Sequence, residues 1–204
     1  MSHLRKAGLM ALAFFALTFG GAATATADVV SFSTLGCFGA GCTPSITSTA
    51  FGSGNATVVF TQQATTTVNT STPSGFTVAD LGTFTVAGMG TYAPTPFVLQ
   101  IVQTVPTFGT GTFTATLTGT LIVNGSDARI VFDQTSLLIG TVRYDLANLT
   151  FGNTLFLDPN ATSGITRITA LVSTPAAVPE PATMLLLGTG LAGIAATAHR
   201  RRKA

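Results

Sequence analysis

From Thr112 to Val123 the chain reads TFTATLTGTLIV, and every second residue is apolar or glycine. Phe113, Ala115, Leu117, Gly119, Leu121 and Val123 fall on one face, with mostly threonines on the other. A period of two held over this length suits a half-buried β-strand, and a helix cannot use it. NGSD follows from Asn124, and ARIVFD then resumes the apolar pattern. Asn-Gly tolerates the positive φ that hairpin turns need, so the two strands are predicted to pair antiparallel. Phe113, Leu117, Leu121, Ile130 and Phe132 are the expected core of that pair.

The neighbouring sequence continues in the same style. Threonine and valine are β-branched and favour pleated, half-buried surfaces. ATVVFTQ, FTVADLGTFTVAG, PFVLQIVQTV, LLIGTVRYDLANLTF, TLFLD and GITRITALVS read as further strands. Gly, Pro, Asn and Ser clusters separate them at short intervals, and none carries a sustained 3.6-residue apolar stripe. Many short strands with turn signals predict an all-β antiparallel β-sandwich or jelly-roll-like domain over residues 28–172. TQQATTTVNTSTPSG, from Thr61, reads as a polar loop or sheet edge. STPAAVPEP, from Ser173, reads as an extended linker over 173–181.

The two ends obey different rules. MSHLRK is basic, the next stretch is apolar, and ATATA supplies small residues before Asp28. This is the layout of a secretory signal peptide over residues 1–27, expected as a short helix and cleaved between Ala27 and Asp28. At the other end, 182–198 carries no charge and reaches the lower length limit for a transmembrane helix. Arg200, Arg201, Arg202 and Lys203 follow within a basic tail, 199–204, which holds that end on the cytoplasmic side as a stop-transfer signal.

Charge then separates the function classes. The whole chain carries +2. Between Asp28 and Ala177, six aspartates face three arginines, a net charge of −3. With no basic patch to neutralise phosphates, nucleic-acid binding is disfavoured. His3 and His199 lie in the terminal segments, as do Lys6 and Lys203. Histidine triads and histidine metal sites are therefore excluded from the domain, and no catalytic, cofactor-binding or metal-ligating residue is assigned. Asp127, Asp133 and Asp145 lie near Arg129 and Arg143, where surface pairing and turn capping explain them. Cys37 and Cys42, in CFGAGC, read as a disulfide in an exported protein, with free thiols as a second reading. For a third, a metal site, two cysteines without a nearby histidine fall short of a ligand set.

Two binding readings compete with a purely structural one. Sugar sites stack a ring on an aromatic face; the chain has no tryptophan. Tyr92, in GTYAPTP, is expected in an exposed loop and would be the stacking residue of a carbohydrate-binding module. A hydrolase is the remaining alternative. Five of the six asparagines, Asn55, Asn69, Asn124, Asn148 and Asn160, begin N-x-[ST]. This order marks glycosylation acceptors, or arises simply because Asn starts turns and threonine fills strands.

Pro179 and Pro181 hold VPEP extended, in the form a protease reads, and Glu180 is the only glutamate in the chain. The tripartite end, VPEPATMLLLGTGLAGIAATAHRRRK, closely resembles the PEP-CTERM sorting signal of exported Gram-negative bacterial proteins. The resemblance carries Val178, Pro179, Glu180 and Pro181 over as the recognition motif, and Arg200, Arg201, Arg202 and Lys203 as the basic end. It implies an exosortase, a membrane transpeptidase-like partner, and transient residence in the inner membrane. It further implies a destination at the cell surface or in the matrix, in bacteria that make exopolysaccharide. On this reading the domain is a non-catalytic surface or matrix protein associated with exopolysaccharide or biofilm, with extracellular polysaccharide as a second partner.

Overall fold

Among the described residues the alternating sequence folds into twelve strands. In chain order they are β1 (Val29–Phe38), β2 (Thr47–Phe51), β3 (Thr57–Gln62), β4 (Thr66–Asn69), β5 (Thr77–Ala87), β6 (Gly90–Val105), β7 (Gly109–Leu121), β8 (Arg129–Phe132), β9 (Ser136–Ile139), β10 (Val142–Ala147), β11 (Thr154–Phe156) and β12 (Ile165–Ser173). The computed structural model describes residues 29–72, 74–122, 126–157 and 164–174, together with Gly190. The expected signal-peptide helix lies outside the described residues, as does the expected transmembrane helix apart from Gly190.

The strands divide into two six-stranded sheets, ordered β11-β8-β7-β6-β1-β4 and β2-β3-β5-β12-β10-β9. Every pairing between named strands is antiparallel. On β7 the pattern is as read: Phe113, Ala115, Leu117 and Leu121 are buried, while Thr110, Thr112 and Thr114 are exposed. Strand β8 pairs back on it, Ala115 opposite Phe132 and Leu117 opposite Ile130. All five residues expected in the core of that pair are fully buried.

Both sheets contribute to one apolar core. Phe60 and Phe84 of the second sheet meet Phe97 of the first, with ring centroids 5.4 and 5.2 Å apart. Burying one such ring contributes about 2–3 kcal/mol. The Phe60 ring fits because Gly36 on β1 and Gly82 on β5 have no side chains. A Cβ at either place would lie 2.4 or 2.7 Å from the ring. A buried hydroxyl also ties the layers together: Thr34 on β1 donates to the Leu81 carbonyl at 2.7 Å and accepts from the Gln63 amide at 2.9 Å.

Several expectations change. LLIGTVRYDLANLTF is two strands, β9 and β10, because Gly140 adopts φ +60° and reverses the chain between Ile139 and Val142. The polar stretch from Thr61 is a sheet edge, one of its two readings: it contains β4, an edge strand paired to β1. Strands β1 and β2 form where none was read. Tyr92 is not in an exposed loop: it lies within β6, 2% exposed. The pairing of β6 with β7 shifts register between Tyr92 and Thr95, which accommodates Pro94 without ending the strand.

Candidate functional site

Two ends of the domain are built differently, and one carries the way out to the tail. Strand β12 ends at Ser173, paired to Arg143 of β10. The next residue, Thr174, shares a hydroxyl–hydroxyl hydrogen bond of 2.9 Å with Thr70, just past β4. The Thr77 hydroxyl donates to the Asn69 carbonyl, and Val29 pairs with Asn69. The first described residue and the last one before the tail therefore meet beside Asn69 and Thr70. The β6–β7 turn closes the same end: a Cβ on Gly109 would touch Ile139, and one on Gly140 would touch Thr107. Above that turn, Gln103 is fully buried. Its Nε2 donates to the Thr107 carbonyl at 2.9 Å, and its Oε1 accepts from the Tyr144 hydroxyl at 2.9 Å.

The opposite end joins the β2–β3 turn to the β5–β6 turn. The Ser53 amide donates to the Thr91 carbonyl at 2.8 Å, and the Asn55 amide to the Met89 carbonyl at 3.2 Å. Gly88 adopts φ +74°, and a Cβ there would lie 1.9 Å from the Asn55 carbonyl oxygen. Only glycine satisfies both conditions. Tyr92 is buried near this corner, its hydroxyl without a hydrogen-bond partner among the described residues.

The polar side chains form few clusters. Arg129, Arg143 and Arg167 pair with Asp127, Asp145 and Asp80 at 3.9, 2.8 and 3.0 Å. All three pairs are open to solvent, where such bridges contribute little. Asp133 accepts from the Thr114 hydroxyl at 2.6 Å. Among the described residues, no three His, Cys, Asp or Glu side chains come together in a way that could hold a metal ion. The expected disulfide is present: Cys37 and Cys42 are bonded, with Cα atoms 5.9 Å apart. Closing so short a loop constrains the unfolded chain by about 2 kcal/mol.

Burial removes the tyrosines as sugar platforms. Desolvation pushes the Tyr92 phenol up to about 12 and raises that of Tyr144 as well. Phe32 packs edge-on against Tyr144 at 5.7 Å. Two of the N-x-[ST] asparagines have structural work. Asn148, at φ +53°, bonds the Arg167 carbonyl and the Thr169 amide and hydroxyl. Asn69 caps a turn by accepting from the Ser71 amide. Gln103 was not singled out from sequence, although its parity with Phe97, Leu99 and Ile101 places it on the inward face of β6.

The tail residues Val178, Pro179, Glu180, Pro181, Arg200, Arg201, Arg202 and Lys203, and the expected cleavage pair Ala27 and Asp28, lie outside the described residues. Among the described residues no helix is long and apolar enough to cross a membrane. Comparison with known families decides the reading of the tail, because residues 177–202 match the PEP-CTERM protein-sorting motif. The chain carries a PEP-CTERM sorting motif. The match takes in the VPEP segment and Arg200–Arg202 and stops short of Lys203. No other part of the chain matches a family, and no curated protein or solved structure matches it. A PEP-CTERM motif implies an exported protein, sorted by a membrane exosortase from an anchored precursor to the cell surface or extracellular space.

Proposed function

We propose that this protein is a non-catalytic surface or matrix component whose β-sandwich is delivered, and then freed from its anchor, through the PEP-CTERM tail. In the extracellular layer it associates with exopolysaccharide or biofilm polymer. The observation that carries this reading is the sorting motif at 177–202, joined by a short linker to a β domain that ends at Ser173. The motif's parts have separable tasks. The basic end stops translocation, the uncharged 182–198 segment holds the chain in the inner membrane, and VPEP offers an extended backbone for cutting. The disulfide suits an oxidising destination. The non-catalytic assignment rests on the chemistry present. Residues 28–172 contain no histidine or lysine, and each of their three arginines is paired with an aspartate.

Replacing Pro179, Glu180 and Pro181 by alanines tests the reading directly. Insertion persists, because the uncharged segment is untouched, but the precursor accumulates uncut in the inner membrane. Wild-type protein recovered from the surface or medium lacks the peptide LLLGTGLAGIAATAHR by mass spectrometry. Finding that peptide still attached to surface protein overturns the proposal.

A further inference from the structure

We infer that the end of the β domain where the chain leaves for the tail rests against the lipid bilayer while the precursor is anchored. The inference rests on the anchoring just proposed, and it names which face of the molecule meets the membrane.

Chain connectivity limits the geometry first. Thr174 is pinned to Thr70, and Ala182, where the uncharged segment begins, lies eight residue steps further along the chain. Fully extended, that tether spans at most about 29 Å. The amino-terminal side adds a second restraint. Val29 pairs with Asn69, one residue from Thr70, so a chain still joined to its signal peptide is held at the same end. Turning the other end to the membrane would lift the exit end by the length of the domain, farther than the carboxy-terminal tether reaches, and an uncleaved signal peptide restrains it further. Strand β5, from Thr77 to Ala87, puts about 33 Å between the two ends.

The surface at this end suits the position. Val29, Phe76, Val78, Val105, Phe108 and Leu138 are all exposed there, Phe108 at 77% and Leu138 at 67%. They come from the start of β1, the start of β5 and the residue before it, the end of β6 with its turn to β7, and the edge strand β9. Val29 faces out from the first sheet and Val78 and Leu138 from the second, so apolar groups lie around this end on both sides. The described charges beside these residues are Arg143, paired across to Leu138, with its partner Asp145, and Asp80, two residues from Val78, with its partner Arg167. Together they are neutral, and nothing among the described residues of this end repels an anionic headgroup surface. Aromatic rings favour the bilayer interface. Exposed apolar side chains also occur at the far end, Phe51 and Met89 among them. The tethers decide which end meets lipid.

The chain contains no tryptophan, so a single introduced indole reports its own surroundings. Full-length precursors carrying Phe108→Trp or Phe51→Trp are reconstituted into phosphatidylethanolamine–phosphatidylglycerol vesicles, with and without acyl-brominated lipid. The inference expects the Phe108→Trp emission to shift to the blue and to lose the larger part of its intensity to bromine, while Phe51→Trp is unchanged. Leu138→Trp repeats the Phe108→Trp result and guards against a misfolded variant. Vesicle flotation separates the two levels of failure. A precursor that floats with unquenched indoles at 108 and 138 overturns this inference and leaves the anchoring intact. One that does not float overturns both. Shielding at 108 that requires added exosortase also overturns it, in favour of a protein partner.

Discussion

The two ends of the domain solve the same closure problem in opposite ways. At the far end, backbone meets backbone: the Ser53 and Asn55 amides reach the carbonyls of Thr91 and Met89, and Gly88 leaves no room for a side chain. At the exit end, side chains close the gap, through Thr70 with Thr174, Thr77 with Asn69, and Gln103 with Tyr144. Backbone closure is specific and intolerant. Side-chain closure can absorb small substitutions, and both ends expose apolar side chains, Phe51 and Phe151 at one and Phe108 and Leu138 at the other.

The contrast can be tested most sharply at Gly88. Gly88→Ala forces a left-handed φ on alanine and drives its Cβ into the Asn55 carbonyl, so it should cost about 3 kcal/mol or more in urea unfolding. Val78→Thr, at the exposed exit end, should fall within about 0.5 kcal/mol of wild type. Similar costs for the two would break the comparison. Each end also holds one buried tyrosine, which gives a smaller test. Tyr144→Phe strands the Gln103 oxygen and should cost about 1–2 kcal/mol, whereas Tyr92→Phe removes a hydroxyl without a partner and should be neutral or slightly stabilising.

Alkali reports on both tyrosines at once. In the unfolded chain phenols ionise near 10. Folding raises Tyr92 to about 12 and raises Tyr144 too, so the native state keeps protons that the unfolded state has lost. Stability from this source is complete below about pH 10. Above it, the loss is about 1.4 kcal/mol per pH unit for each tyrosine, until the native phenol itself ionises. Denaturant midpoints measured from neutral to strongly alkaline solution should be flat and then fall. A fall beginning well below pH 10 would point to another group.

The same contrast explains what could be read from the residues alone. Strand β7 was legible because its faces differ completely, phenylalanine and leucine against threonine. Strand β1 was not, since the inward positions of VVSFSTLGCF include Thr34 and Gly36, which an alternation test scores as polar or neutral although both are buried. Strands β2 and β4 are mostly threonine and serine at sheet edges, where pairing rather than burial holds them. Tyr92 was misplaced because Pro94 and Pro96 are turn signals by themselves, and only the register shift with β7 shows how a strand carries them. The exit end joins residues about a hundred positions apart in sequence, Thr70 and Thr174, and no local pattern announces such a meeting. The tail was legible for the opposite reason: its meaning lies in the order of its parts along the chain, which needs no fold.

The place of β12 has a consequence for timing. It is the last strand, yet it lies inside its sheet, with β5 on one side and β10 on the other. A chain threaded through the membrane from its amino terminus delivers β5 early and β10 later, but these two cannot be bridged until Ser173 has emerged. By then only a few residues remain before the uncharged segment. On the anchoring proposed above, the second sheet becomes whole as the uncharged segment reaches the membrane, and the domain completes its folding while still held by its tail.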